Sequence, residues 1–210
     1  MKPENVEAIL TTAKKMFARY GLRKTNLDDI ARTARVAKGT IYNYFGSKDQ
    51  VYLGVLRREA EEIVRNVLLS MDKVISPEEK LDAFVRAKFR YMRQAINILN
   101  LDREGVEKYL PAAESIRNEL FEQEVKIIDS ILRLGLGKGI FRLNDVSLAA
   151  KAIGYALRGF ELNWLIQESE ERIEHYLAQL MNLIFFGIMV ERSFGEPSRN
   201  HLQPNFTNLR

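Results

Sequence analysis

The chain reads as an all-α protein of about nine helices: an N-terminal three-helix unit containing a helix-turn-helix, then a larger helical unit. Three observations predict this. Apolar residues recur at i, i+3, i+4 and i+7 along nearly the whole chain. Only 5 prolines interrupt it. Ser, Asn and Asp stand where helices should begin, and glycines where several should end.

In the first helix Val6, Ile9, Leu10, Ala13, Phe17 and Tyr20 share a face, and Gly21 ends it. Asn26 caps a short helix whose stripe is Leu27, Ile30, Ala31 and Ala34. Arg35-Val36 turns the chain. A second short helix runs from Lys38 to Phe45, with Ile41 and Phe45 inside, and Gly46 closes it. The spacing assigns Phe17, Tyr20, Ile30 and Phe45 to the core. Ser47 and Gln50 read as a capping box opening a long helix to about Met71. Ser76-Pro77-Glu78-Glu79 is the clearest helix start, and that helix is expected to reach Asn100. Pro111 opens the next, which ends among Gly135, Gly137 and Gly139; Ile140-Phe141-Arg142 is a candidate for a very short extended stretch. Asp145 caps a helix to about Gln167, and the last runs from about Glu170 to Phe194. The expected units are residues 1–50, 51–194, and a mobile tail, 195–210.

Composition narrows the function. The 210 residues hold no cysteine, which excludes disulfides, thiolate metal sites and cysteine nucleophiles. The apolar run Leu183 to Val190 is far below the roughly 20 residues needed to span a bilayer, so a soluble, cytoplasmic protein without membrane association is expected. The net charge is +4, unevenly spread: residues 1–60 hold 12 Lys and Arg against 6 Asp and Glu, and the remainder is slightly acidic. A local basic excess suits a polyanionic partner. His175 and His201 lie far apart in sequence, and no zinc-protease, P-loop or dinucleotide-binding sequence occurs. Neither a catalytic residue, nor a metal site, nor a cofactor is expected, and an all-α enzyme would need a reactive cluster that is not evident. A nonspecific architectural DNA-binding protein would be basic over its whole length, which this chain is not.

Two short helices joined by a tight turn between Thr25 and Lys48 describe a helix-turn-helix. Its second helix must fit a major groove wide enough for one helix, so it needs small or hydrogen-bonding groups outside and apolar groups behind. Lys38, Gly39, Thr40, Tyr42 and Asn43 supply the first, Ile41 and Phe45 the second. Gly39 costs a helix about 1 kcal/mol against Ala; close approach to DNA and a tolerated glycine near a helix end explain it equally well.

The sequence Leu27-Asp28-Asp29-Ile30-Ala31, followed by Val36-Ala37-Lys38-Gly39-Thr40-Ile41-Tyr42-Asn43-Tyr44-Phe45-Gly46-Ser47-Lys48, closely resembles the signature of TetR-type transcriptional regulators across about residues 5–55. The resemblance implies a homodimer that binds double-stranded operator DNA, with a C-terminal ligand-binding and dimerisation domain and a small-molecule effector. By position it implies that Thr25, Tyr42, Tyr44 and Lys48 meet phosphates, while Lys38, Gly39, Thr40 and Asn43 face the groove. Phosphate contacts fix register and base-edge contacts set sequence preference. Two positions depart from the pattern: Arg35 stands where glycine is common, and Ala37 where serine often caps the recognition helix. Arg35 is then expected in a left-handed conformation at some strain, and it adds a candidate DNA contact.

Beyond residue 52 only the general architecture is matched. Pocket candidates are Phe84, Phe89, Met92, Tyr109, Phe121, Tyr155, Arg158 and Trp164, aromatic or apolar residues with one cation for an anionic head group; for the aromatics a plain core role is the commoner outcome. For the dimer interface the last two helices offer Ala149, Ile153, Phe160, Leu177, Leu180, Met181, Ile184 and Ile188, which two copies would pack as a four-helix bundle. An ordinary intrachain core is the alternative. The expected effector is hydrophobic or amphipathic, and release from DNA on binding it would make the protein a repressor.

Overall fold

The computed structural model describes residues 3–100 and 111–188, with side chains for all of these but 162–167. Their helices, in chain order, are α1 (Pro3–Lys24), α2 (Leu27–Ala34), α3 (Lys38–Phe45), α4 (Lys48–Met71), α5 (Pro77–Gln94), α6 (Ile96–Leu99), α7 (Pro111–Gly137), α8 (Val146–Gln167) and α9 (Glu170–Ile188). No strand occurs among the described residues. The expected mobile tail and the end of the last helix, from residue 189 on, lie outside the described residues.

The helix signals act as the sequence foretold, with three amendments. Asn26 accepts from the backbone of Asp28, and Asp145 from that of Leu148. Ser76 and Glu79 form the full capping box, each side chain accepting from the other's backbone N–H. At Ser47 only half of the expected box forms: its hydroxyl accepts from Gln50 N at 3.2 Å. Gly21 breaks the helical path at φ 78°, ψ 165°, but the chain coils again to Lys24 instead of ending there. The helix expected to reach Asn100 stops at Gln94. Ala95 (φ −85°, ψ 65°) breaks it and α6 starts afresh. The reason is Glu59 of α4, which is buried and accepts from the Ile98 backbone N–H (3.0 Å) and from Asn97 Nδ2 (2.8 Å). It thereby satisfies donors that a new helix start leaves open.

One core runs through the molecule. Ile9, Ala13, Phe17, Ile30 and Ile41 join α1–α3, and Val51, Tyr52, Val55 and Leu56 carry the same core along α4. α4 is continuous across residue 50, so the two expected units share this helix. On its other side Leu81, Phe84, Val85 and Phe89 of α5 and Ile128, Ile131 and Leu132 of α7 complete the packing. Ion pairs tie α1 to α4: Lys14 to Glu62 at 2.6 Å and Arg58 to Glu7 at 2.6 Å, with Arg58 and Glu62 also paired within α4 at 3.1 Å. Phe141 lies where a Cβ on Gly135 would come within 2.0 Å of its ring, so only glycine permits the turn out of α7. The extended candidate reduces to a single bridge residue, Phe141, beside which the Arg142 N–H bonds the Ile188 carbonyl at 2.7 Å.

Candidate functional site

α2 and α3 form the expected pair. The turn between them is a Schellman motif: Arg35 is the left-handed residue (φ 57°, ψ 41°), and the Val36 N–H reaches back to the Ala31 carbonyl at 3.0 Å. Among the described residues no other non-glycine has positive φ. Ala37 supplies no side-chain cap to α3. Both departures read from the sequence thus act as expected on the backbone.

α3 turns Ile41 into the core, while Lys38, Gly39, Tyr42 and Asn43 are exposed and Thr40 is half-buried. Among the described residues a Cβ on Gly39 would meet nothing within 4 Å, so none of their packing requires this glycine. Lys38 reaches across to α2, its Nζ lying 2.6 Å from Asp28 Oδ1, and it passes 6.0 Å from the centre of the Tyr42 ring. The Asp28 carboxylate raises the Lys38 pKa above its ordinary value, so the ammonium stays charged. Arg35 is exposed at the turn, and Tyr44 is half-buried against the core.

Two residues assigned to phosphate sit differently. Thr25 is buried, and its hydroxyl donates to the Gly21 carbonyl at 2.7 Å. The Lys48 ammonium donates to the carbonyls of Leu22 (2.9 Å), Thr25 (3.2 Å) and Arg23 (3.4 Å). Those carbonyls are the open C-terminal end of α1, where a cation is favoured. Both residues brace the α1–α2 corner. Tyr20, assigned to the core, is 47% exposed beneath Arg19, whereas Phe17 and Ile30 are buried as expected and Phe45 is half-buried.

A family model described as bacterial regulatory proteins of the tetR family matches residues 9–55. Over 150 residues the chain is 31% identical to the transcriptional repressor KstR2 of Mycolicibacterium smegmatis, covering 70% of this chain and 73% of that protein. The chain belongs to the TetR family of transcriptional regulators. Solved structures of the same fold include a regulator from Saccharomonospora viridis in complex with choline (TM-score 0.75, 21% identity, 90% of this chain and 100% of that one). Another is FadR from Bacillus subtilis in complex with stearoyl-CoA (TM-score 0.64, 21% identity, 86% and 95%).

In the C-terminal part of this TetR-family regulator, a cavity of about 20 Å³ lies between α5, α6, α7 and α8. Met92, Phe121 and Arg158, all expected at a pocket, line it together with Leu120, Ile98 and Glu124. Arg158 donates to Asn118 and lies over the Phe121 ring. Phe84 is plain core, and Phe89 borders a separate groove against α9. Tyr155 is exposed, though its ring tilts against Phe121 at 4.9 Å. Tyr109 and the Trp164 side chain lie outside what the structure describes.

Sequence reasoning missed the polar group beside this cavity. Lys88 of α5, 2% exposed, pairs with Glu124 of α7 at 2.5 Å and with Glu161 of α8, both also buried. Burial works against the Lys88 charge, but the two carboxylates outweigh it and raise its pKa. Burial pushes Glu124 up to about 7, against the pull of Lys88. The signal was present: Lys88 falls on the stripe of Leu81, Phe84, Val85 and Met92, and Glu124 on that of Phe121, Val125 and Ile128. A charge at a core position of a helix implies a buried partner.

The helix faces chosen for dimerisation are also amended. Ile153, Leu177 and Met181 are buried within the single chain. The small residue Gly154 serves α7, since a Cβ there would stand 2.9 Å from Val125. Ala149, Phe160, Leu180, Ile184 and Ile188 are half-buried. The bare apolar face lies beside them: Leu148 and Tyr155 on α8, and Leu183 (73% exposed) and Phe186 (94%) on α9.

Proposed function

We propose that this regulator binds a pseudopalindromic operator as a homodimer and is released from it by a small amphipathic effector, acting as a repressor. Residues 1–50 form the DNA-binding unit and 51–194 the effector-binding and dimerising unit, joined by α4. The observation that carries the reading is α3: an outward face of Lys38, Gly39, Tyr42 and Asn43, with space around Gly39 that none of the described residues uses. Lys38, Arg35, Tyr42 and Tyr44 serve phosphates at and beside the groove. Gly39, Thr40 and Asn43 approach the bases, Asn43 being suited to adenine.

The bare face of α8 and α9 supplies the two-fold partner contact. An apolar side chain as exposed as Phe186 gains from a second copy. Two recognition helices then read half-sites about 34–36 Å apart, or a multiple of that. The cavity supplies the effector site; of the structures of the same fold, one holds choline and another stearoyl-CoA, which supports a small-molecule effector. Coupling runs through α6. Ile98 and Leu99 line the cavity, while the neighbouring Asn97 donates to the Lys14 carbonyl of α1 at 3.1 Å and to Glu59 of α4. A ligand that moves α6 therefore acts on α1 and α4 together.

Selection of bound fragments from random DNA tests the reading. An enriched inverted repeat, lost for Gly39→Leu and altered at one or two positions per half-site for Asn43→Ala, is the expected result. Binding without sequence preference would favour a nonspecific DNA-coating protein instead.

A further inference from the structure

The polar group beneath the cavity has more acceptors than donors. One ammonium, Lys88, faces two buried carboxylates, Glu124 and Glu161. Lys88 donates to Glu124 Oε2, but Glu124 Oε1 is buried with no hydrogen-bond partner among the described residues. Glu124 and Glu161 both line the cavity, whose 20 Å³ is room for about one water-sized group. A buried carboxylate oxygen without a donor is costly, and two buried carboxyl groups share the one buried ammonium. A group that fills this space well is therefore the size of a water, donates N–H or O–H, and carries positive charge. Met92, Leu99, Leu120 and Phe121, which line the same cavity, offer only apolar contact.

The rim holds two cations, Arg117 and Arg158. They oppose a cationic ligand less than the carboxylates attract it. Both arginines are half-buried and reached by solvent, and Arg158 is held outward by Asn118. The carboxylates are buried, where charge interactions are several times stronger.

Building on the effector site proposed above, we infer that its effector is a protonated primary or secondary amine with an apolar body, whose N–H groups dock on Glu124 and Glu161. The ammonium takes the water-sized space, and the apolar part extends past Phe121. N–H donors are what the unpaired oxygen lacks. A quaternary ammonium, which has charge but no donor, is a poor substitute, and a carboxylate of equal length is repelled.

The test uses the full-length protein and calorimetric titration with three matched series of straight-chain probes, four to twelve carbons long: primary alkylamines, alkanoates and alkyltrimethylammonium salts. The expected result is that at least one amine binds ten times more tightly than its matched alkanoate and its matched quaternary salt. Glu124→Gln should weaken that amine at least tenfold without moving the affinity for operator DNA. Glu161→Gln serves the same comparison should Glu124→Gln fold poorly. The inference is overturned if no amine exceeds its matched alkanoate, if the quaternary salts bind as well as the amines, or if neither substitution weakens amine binding. DNA binding is measured separately. Failure of amine binding with an intact operator response to another ligand removes only this inference, whereas indifference to DNA removes the regulator reading whatever the amines do.

Discussion

The Lys48 ammonium stands 3.2 Å from the carbonyl oxygen of Thr25, and with Leu22 and Arg23 it closes the end of α1 against the start of α4. A lysine so engaged works first as an internal clamp. Lys48→Met should lower unfolding stability by about 1–2 kcal/mol. It should leave the dependence of log K on log salt nearly unchanged. A phosphate contact would instead reduce that slope by about 0.9. Denaturant titration and binding at several salt concentrations separate the two.

Arg35 occupies the glycine position of the α2–α3 turn. Left-handed backbone costs a non-glycine residue roughly 1–2 kcal/mol, part of which is returned by glycine's greater freedom when unfolded. Arg35→Gly should therefore stabilise the fold by about 0.5–1 kcal/mol while weakening DNA binding through the lost charge. Ala37→Ser should add about 1 kcal/mol by capping α3. Urea midpoints of both variants check these signs.

Asn97 connects α6 to α1 and α4 at once. Asn97→Ala should cost about 1–3 kcal/mol, because it removes a donor from the buried Glu59. Asn97→Asp should cost more, since it sets a second carboxylate beside the first. Equal midpoints for the two variants would contradict the assigned contact.

Glu124 predicts a pH limb. Its pKa of about 7 in the folded chain lies above its ordinary value of 4.5, so the folded state holds the proton longer. The stability it contributes is full below about 4.5, declines as pH rises through about 7, and is level above that. Lys88, Glu161 and the rim arginines Arg117 and Arg158 all face this carboxyl. Glu124→Gln should flatten the decline between these limits; the difference between the two unfolding profiles isolates it from the other carboxylates.

Leu183 and Phe186 should carry dimerisation. Leu183→Glu with Phe186→Glu should give a folded monomer with unchanged helical circular dichroism, checked by sedimentation equilibrium. Ile153→Glu should instead unfold the chain, because that side chain already lies in the single-chain core.

The helix-turn-helix was the most legible part of the molecule because its determinants are local. Asn26 caps α2 from two residues away, Arg35 turns the chain where the Schellman motif requires it, and Ile41 faces inward by helical spacing alone. The internal partners of Lys48 and Thr25 were not legible for the opposite reason: they lie on other helices, up to 26 residues away for Lys48 and Leu22. Part of the stripe assigned to a dimer turned inward, because an apolar stripe does not say which neighbour covers it. Gly154, Leu177 and Met181 proved to serve the chain's own core, leaving Leu183 and Phe186 bare.

The sequence by itself determined the all-helical class, most helix ends and the helix-turn-helix, since periodicity, capping and turn chemistry act over a few residues. Only the tertiary structure decided where α5 gives way to α6, which carbonyls Lys48 and Thr25 bond within the chain, and that Lys88, Glu124 and Glu161 meet beside the cavity. Those outcomes depend on groups far apart in the chain finding each other away from water, where an unpaired charge or donor costs enough to select its partner.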